Sequence, residues 1–307
     1  MLLARLVHLS RLSDVEMQFG WERSRFSRIT RLTALFLWDR WKHLLRFDPR
    51  RLTRKLAYFG TILQLRGAPM DCVVALIDGT LRKTARPVKN QRLLYNGWKR
   101  FHCLKYHALL TPDGIVVHVY GPVEGRRHDE TVFQQSGLME ILQAHFYKPN
   151  GDPLFIYGDP AYSVAPHILS PYRGAALTAG EAKFNRAMST CREPVEWSFK
   201  EVIQQFPFLD FSRNQKVLLS PCGLYYLVAL LLGNAHTIVH RPQIPQFFDC
   251  DPPSLQEYFT GGPIVDEELD SWCLDSPWVE LPDGDEDSPD EDDDRPDNET
   301  DDEEERD

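Results

Sequence analysis

The stretch Cys72-Val73-Val74-Ala75-Leu76-Ile77-Asp78-Gly79-Thr80 decides the fold. Its first six residues are apolar without interruption and rich in strand formers, which predicts a short strand buried on both faces rather than one alternating between core and water. Asp78-Gly79 carries turn chemistry and marks the strand's end. Upstream the period is different. Val15, Phe19, Phe26, Ile29, Leu32, Leu35 and Phe36 recur at three- and four-residue steps, so residues 1 to about 60 read as helical. Ser13 and Glu16 have capping-box spacing for one helix, and Gly20 can end it. A second helix, from about Ser24 to Lys42, carries Arg23, Arg25, Arg28 and Arg31 on or near one side. A helix, a short glycine-containing turn and a basic helix fit a helix-turn-helix DNA reader, and they fit an ordinary helical hairpin packed on the main domain equally well.

Downstream, the polar and basic run Arg82–Arg100 leads to Phe101–Leu110, Pro112-Asp113-Gly114 and Ile115–Tyr120, two extended runs joined by a turn and hence an antiparallel hairpin. A helical pattern from about Asp129 to Phe146 follows. Leu154–Tyr157 is a second buried strand, ending at Gly158-Asp159. A short strand is expected at Ala175–Thr178, a helix over Glu181–Gln205 broken near Cys191–Pro194, and an apolar helix over Gly223–His236. Strands and helices mixed in this way predict an α/β fold, a mixed sheet flanked by helices. The expected divisions are a helical segment at 1–66, the main domain at 67–240, a proline-rich linker at 241–265 and an acidic, disordered tail at 266–307.

Charge is distributed unevenly. The formal net charge is -10, yet residues 266–307 hold 23 of the 45 acidic residues and only two of the 35 basic ones, leaving the first 265 residues at +11. A basic body suits a polyanion such as nucleic acid, because each neutralised phosphate releases counterions. Against that stands the plain reading of a solvated basic surface. The tail reads as a solubilising segment, a protein-interaction segment or an intramolecular mimic of DNA. Six scattered cysteines, Cys72, Cys103, Cys191, Cys222, Cys250 and Cys273, form no zinc or disulfide pattern and point to a reducing compartment. Met1–Leu9 does not read as a secretory signal, and the longest apolar run, Leu224–Leu232, is too short to cross a bilayer and suits a core helix.

Phosphodiester chemistry with two divalent ions about 3.5–4 Å apart needs a few convergent carboxylates. Asp78 and Asp159 each follow a buried strand, so neighbouring strands would bring them together at one sheet edge, and Glu196 on a later helix can fold over that edge. Each aspartate taken alone is also an ordinary turn residue. Glu193 rivals Glu196, but Pro194 suits a first helical turn, which leaves Glu193 at the cap and Glu196 inside the helix. Asp129 reads as an N-cap in preference to a catalytic group. Arg126 and Arg127 are candidates for phosphate contact, Trp98 for packing or base stacking, and His102, His107 and His118 for structural roles.

Ile77-Asp78-Gly79-Thr80, Gly125-Arg126-Arg127-His128-Asp129, Gly158-Asp159-Pro160-Ala161-Tyr162, and Arg192 four residues before Glu196 with Phe199 after it resemble, in this order, the transposases of the PIF/Harbinger group and their domesticated nuclease relatives. The resemblance runs over about residues 10 to 240. It implies a ribonuclease-H-like fold and an Asp-Asp-Glu triad, Asp78, Asp159 and Glu196, acting with Mg2+ or Mn2+ on double-stranded DNA at transposon terminal inverted repeats. It also implies nuclear localisation and a separately encoded Myb-like partner. Pro160-Ala161 stands where the family more often has Ser-Gly, and Lys200 and Ile203 where it has a glycine followed by a lysine. Neither change removes a ligand. Arg25, Arg28, Arg31, Arg126, Arg127 and Arg192 are the candidate DNA contacts. The alternatives are a catalytically inactive DNA-binding or scaffold protein that keeps the fold, and a phosphatase acting on small molecules, for which the basic N-terminal helices have no use.

Overall fold

A computed structural model describes residues 1–259; the acidic tail and Cys273 lie outside the described residues. The chain opens with helices α1 (Leu2–Val7), α2 (Leu12–Phe19), α3 (Arg23–Trp41), α4 (Pro49–Leu52) and α5 (Leu56–Leu65). Then come β1 (Val73–Lys83), α6 (Gln91–Leu94), β2 (Tyr95–Asn96), β3 (Phe101–Leu110) and β4 (Val116–Glu124). α7 (Asp129–Gln134), α8 (Leu138–His145), β5 (Phe155–Tyr157) and β6 (Ile168–Leu169) follow. The described part closes with α9 (Ala179–Gln205), α10 (Cys222–His240), α11 (Gln243–Phe248) and α12 (Leu255–Tyr258).

The main sheet runs β4-β3-β1-β5-β6, with β2 paired to the far end of β3. β4, β3 and β1 are antiparallel, whereas β1, β5 and β6 are parallel, so the sheet is mixed as expected. Val73–Ile77 at its centre are all fully buried, which requires cover on both faces. The expected end of β1 at Asp78-Gly79 is not where it ends. Pairing with β3 continues from Asp78 opposite Ala108 to Lys83 opposite Cys103, and ladder hydrogen bonds override the local turn preference of Asp-Gly.

Other boundaries shift for local reasons. α2 is closed at its start by the Asp14 carboxylate, which accepts from the Arg11 backbone N–H at 2.8 Å, rather than by Ser13 and Glu16; Gly20 ends it at φ 67° as expected. The expected helix 129–146 is two helices, because Gly137 turns left-handed between them. The expected strand at 175–178 is absent: those residues are exposed, and the fifth strand of the main path is Ile168–Leu169. α9 runs unbroken through Pro194. The proline-rich stretch, expected as a linker, forms α11 and α12 and buries Ile244, Phe248 and Tyr258.

α10 has the length and apolarity of a membrane span, but most of it is buried against α3, α9 and β4. It touches α9 closely, since a Cβ on Gly233 would stand 3.0 Å from Val202. Asn234 then pins it to the sheet. Its Oδ1 accepts from the Val116 N–H at 2.9 Å, and its amide donates to the Val116 carbonyl and the Tyr258 hydroxyl, each at 2.8 Å. His107 and His118 are buried, and burial pushes both below the usual imidazole range, so both are neutral core residues; His102 lies at the margin of β3, half-buried. Asn234→Ala strands one backbone N–H, one carbonyl and the Tyr258 hydroxyl together. It should lower stability by about 3 kcal/mol in denaturant unfolding, and a loss under about 1 kcal/mol would show that α10 is not pinned in this way.

Candidate active site

The positions of the two aspartates follow from sheet register. In the parallel pair, Leu76 stands opposite Tyr157, the last paired residue of β5. Continuing both chains by two residues sets Asp78 beside Asp159, with side chains of equal parity. β1 extends past that point along β3 while β5 stops, so a notch opens on the β5 side of β1. The two aspartates line that notch.

α9 crosses the even-numbered face of β1 and delivers Arg192 and Glu196. Arg192 Nη1 stands 3.2 Å from Asp78 Oδ2, and its Nη2 donates to Glu196 Oε1 at 2.9 Å. The guanidinium therefore bridges the first and third expected carboxylates. Glu196 also lines an open groove of about 440 Å3 with Asp78, Thr80, Arg82, Phe199, Lys200 and Asp210. Glu193 is exposed and does not line that groove, so Glu196 is the glutamate beside Asp78. The ground for preferring it differs from the expectation, because Pro194 lies in mid-helix, where its missing N–H leaves the Thr190 carbonyl without the usual i to i+4 bond.

Asp78 is buried. Desolvation pushes its carboxyl up to about 7 despite Arg192, with repulsion from Asp159 and Glu196 adding to the rise and the Gly79 N–H, donating at 2.9 Å, opposing it. Asp159 is half-buried and also raised, by burial first and then by the nearby Asp129, against the Ala161 N–H that donates to its Oδ1 at 2.9 Å. Three acidic groups thus share a region in which side-chain cations only partly offset their repulsion.

Among the described residues no three acidic, histidine or cysteine side chains converge closely enough to grip an ion. The reason is visible in their partners: Asp78 and Glu196 are turned onto Arg192, and Asp159 onto its own turn. The donor set nonetheless suits a hard divalent cation, since all donors are carboxylate oxygens at a half-open edge and the buried one lacks full compensation.

Other expected contacts fall in different places. Arg25, Arg28 and Arg31 lie exposed on α3, whose Phe26, Thr30, Ala34 and Trp38 are buried on the other side. Arg126 is exposed. Arg127 is occupied by an ion pair with Glu124 and a bond to Gln135. Arg192 is paired with Asp78 and Glu196. Trp98 is exposed. Asp129 is the first helical residue of α7, with His128 at the cap position. Lys105 is buried on β3, and its sequence signal is a lysine inside the largely apolar run Phe101–Leu110.

The raised carboxyl of Asp78 has a definite sign. The folded state binds this proton more tightly than the unfolded chain, so the stability it lends is complete below the ordinary carboxylate range and is lost as pH rises toward 7. Asp78→Asn should therefore match the wild type in melting temperature near pH 4, gain on it through pH 4–7, and stay about 5 °C above it at pH 8. An equal or lower melting temperature for the variant at pH 8, measured without added metal, would contradict the uncompensated charge.

Comparisons with known proteins identify the family. Residues 77–234, more than half of the chain, match the family described as DDE superfamily endonuclease, and the match contains Asp78, Asp159 and Glu196. The chain is similar to Protein ALP1-like of Arabidopsis thaliana, with 21% identity over 243 residues, which cover 74% of this chain. It spans 58% of that relative's length. No solved structure gives a significant match. The chain belongs to the DDE superfamily endonuclease family.

Proposed function

We propose that the chain is a metal-dependent DNA nuclease of the Harbinger transposase type, cutting and joining transposon-end DNA with Asp78, Asp159 and Glu196. The observation that carries this reading is the bridge Arg192 makes between Asp78 and Glu196, beside the register of Leu76 with Tyr157 that brings Asp159 toward Asp78. The strand order, three antiparallel strands followed by two parallel ones, supports a ribonuclease-H-like fold. Asp78, Asp159 and Glu196 would hold Mg2+ or Mn2+. Bound divalent ions supply Lewis acidity to the scissile phosphate and stabilise the charge developing on the leaving oxygen. Arg192 partly offsets the charge of the buried Asp78 and of Glu196, and it is positioned to meet a phosphate oxygen once it releases Asp78. Lys200, exposed one helical turn beyond Glu196, offers a further phosphate contact along the groove.

A second, basic cleft of about 630 Å3 extends the DNA path. It lies between α2, α3 and the segment 211–221, and its lining includes Arg11, Arg31, Arg213 and Lys216 but no acidic residue. Phe211 of its lining follows Asp210 of the carboxylate groove in the chain, and we infer that a DNA backbone passes from one to the other. The basic face of α3 would then hold the duplex that the carboxylate edge cuts.

With inverted-repeat DNA and Mg2+ or Mn2+, the wild type should nick or cleave. Asp78→Ala and Glu196→Gln should lose more than the roughly 10–100-fold typical of an outer-shell partner. DNA bound but uncut by wild type and variants alike would mean a binding protein on a nuclease fold. Arg31→Ala with Lys216→Ala should reduce the slope of log affinity against log salt by about two, at either cognate or unrelated DNA. An unchanged slope would remove the cleft from the DNA path.

A further inference from the structure

Glu196 reaches the notch from one face of the sheet, and a fourth carboxylate reaches it from the other. α7 packs on the odd-numbered face of β3, where Phe133 lies 6.1 Å from His107. From that side the Asp129 side chain comes against β1 at Gly79, the neighbour of Asp78. A Cβ on Gly79 would stand 2.6 Å from Asp129 Oδ1, so the absence of a side chain at Gly79 is what admits the carboxylate. The next residue, Glu130, accepts from the Ser163 N–H at 2.9 Å and ties the loop after Asp159 to the same helix. Asp129 is also the first charge felt by Asp159 after burial itself.

Two further groups converge here. Lys105 Nζ, almost wholly buried, stands 3.2 Å from Asp129 Oδ1 without hydrogen-bond alignment, and donates to the Arg127 carbonyl at 2.6 Å. Tyr162, 1% exposed, has a hydroxyl with no hydrogen-bond partner among the described residues. After burial, the groups that act most strongly on that hydroxyl are the carboxylates of Asp129, Asp78 and Asp159. A buried, unpaired O–H beside three carboxylates is costly unless something else enters the site. The two cationic side chains divide the cluster: Arg192 serves Asp78 and Glu196, and Lys105 serves Asp129 on the opposite face.

We propose that Asp129 is a fourth metal-holding carboxylate, forming with Asp159 a cation position at the notch, and that Lys105 occupies this position until a divalent ion displaces it. The site thereby has two cation positions, one at Asp78 and Glu196 where Arg192 sits, the other at Asp129 and Asp159 where Lys105 sits. This rests on the reading of the notch as a metal site.

The test is Mn2+ titration of the full chain by calorimetry, with the wild type and variants compared so that ions bound elsewhere cancel in the difference. Asp78→Asn, Asp129→Asn and Lys105→Met are measured alongside melting curves. The expected result is that Asp129→Asn loses one bound ion per chain, or weakens it at least tenfold, while Lys105→Met tightens binding severalfold by removing the competing charge. If Asp78→Asn leaves Mn2+ binding unchanged, the metal reading of the whole notch fails. If Asp78→Asn weakens binding and Asp129→Asn does not, only the fourth-carboxylate inference fails. Weaker Mn2+ binding by Lys105→Met would make Lys105 an anchor for Asp129 rather than a placeholder, overturning the displacement, and this outcome can be read even if Asp129→Asn does not fold.

Discussion

The parallel alignment of Leu76 with Tyr157 is the constraint on which the rest depends. It exists because Val73–Ile77 can be buried on both faces, which makes β1 the central strand, and because the short β5 must lie beside it with the same direction. A shift of β5 by one residue would turn Asp159 to the opposite face and separate it from Asp78. The early end of β5 matters as much as its register. It leaves the far half of β1 paired on one side only, and that vacancy in the ladder is the space where acidic groups from three other elements meet.

Concentrating negative charge at the rim of a hydrophobic core opposes folding. The molecule tolerates it by setting guanidinium and ammonium groups against the carboxylates, a compromise that holds the site closed to itself. The remaining imbalance appears in Asp78, whose carboxyl stays raised even with an arginine in contact. Such incomplete neutralisation is what the proposed metal site would relieve.

Much of this was legible in the residues. Continuous apolar runs located β1 and β5, because burial periodicity is a local property, and the ordered motifs singled out Asp78 and Glu196, which Arg192 bridges in the fold. What escaped was decided by partners distant in the chain. β1 ran through Asp78-Gly79 because β3 offered hydrogen bonds. α9 absorbed Pro194 because packing by Cys191, Val195 and Phe199 outweighed one missing bond. Asp129 reads locally as a helix cap, and its meeting with Lys105 depends on Gly79, fifty residues before Asp129 and twenty-six before Lys105.

α10 has so far figured as a core helix, yet it lies between α3, with its exposed arginines, and α9, with Glu196. It therefore works as a common chassis. If α3 grips DNA, the distance from grip to cut is set by apolar side chains that touch neither DNA nor metal. Repacking at Gly233 or along the α3 contact would then move the position of the break along the duplex while leaving the chemistry intact, so that the reading frame of cleavage is stored in the hydrophobic core.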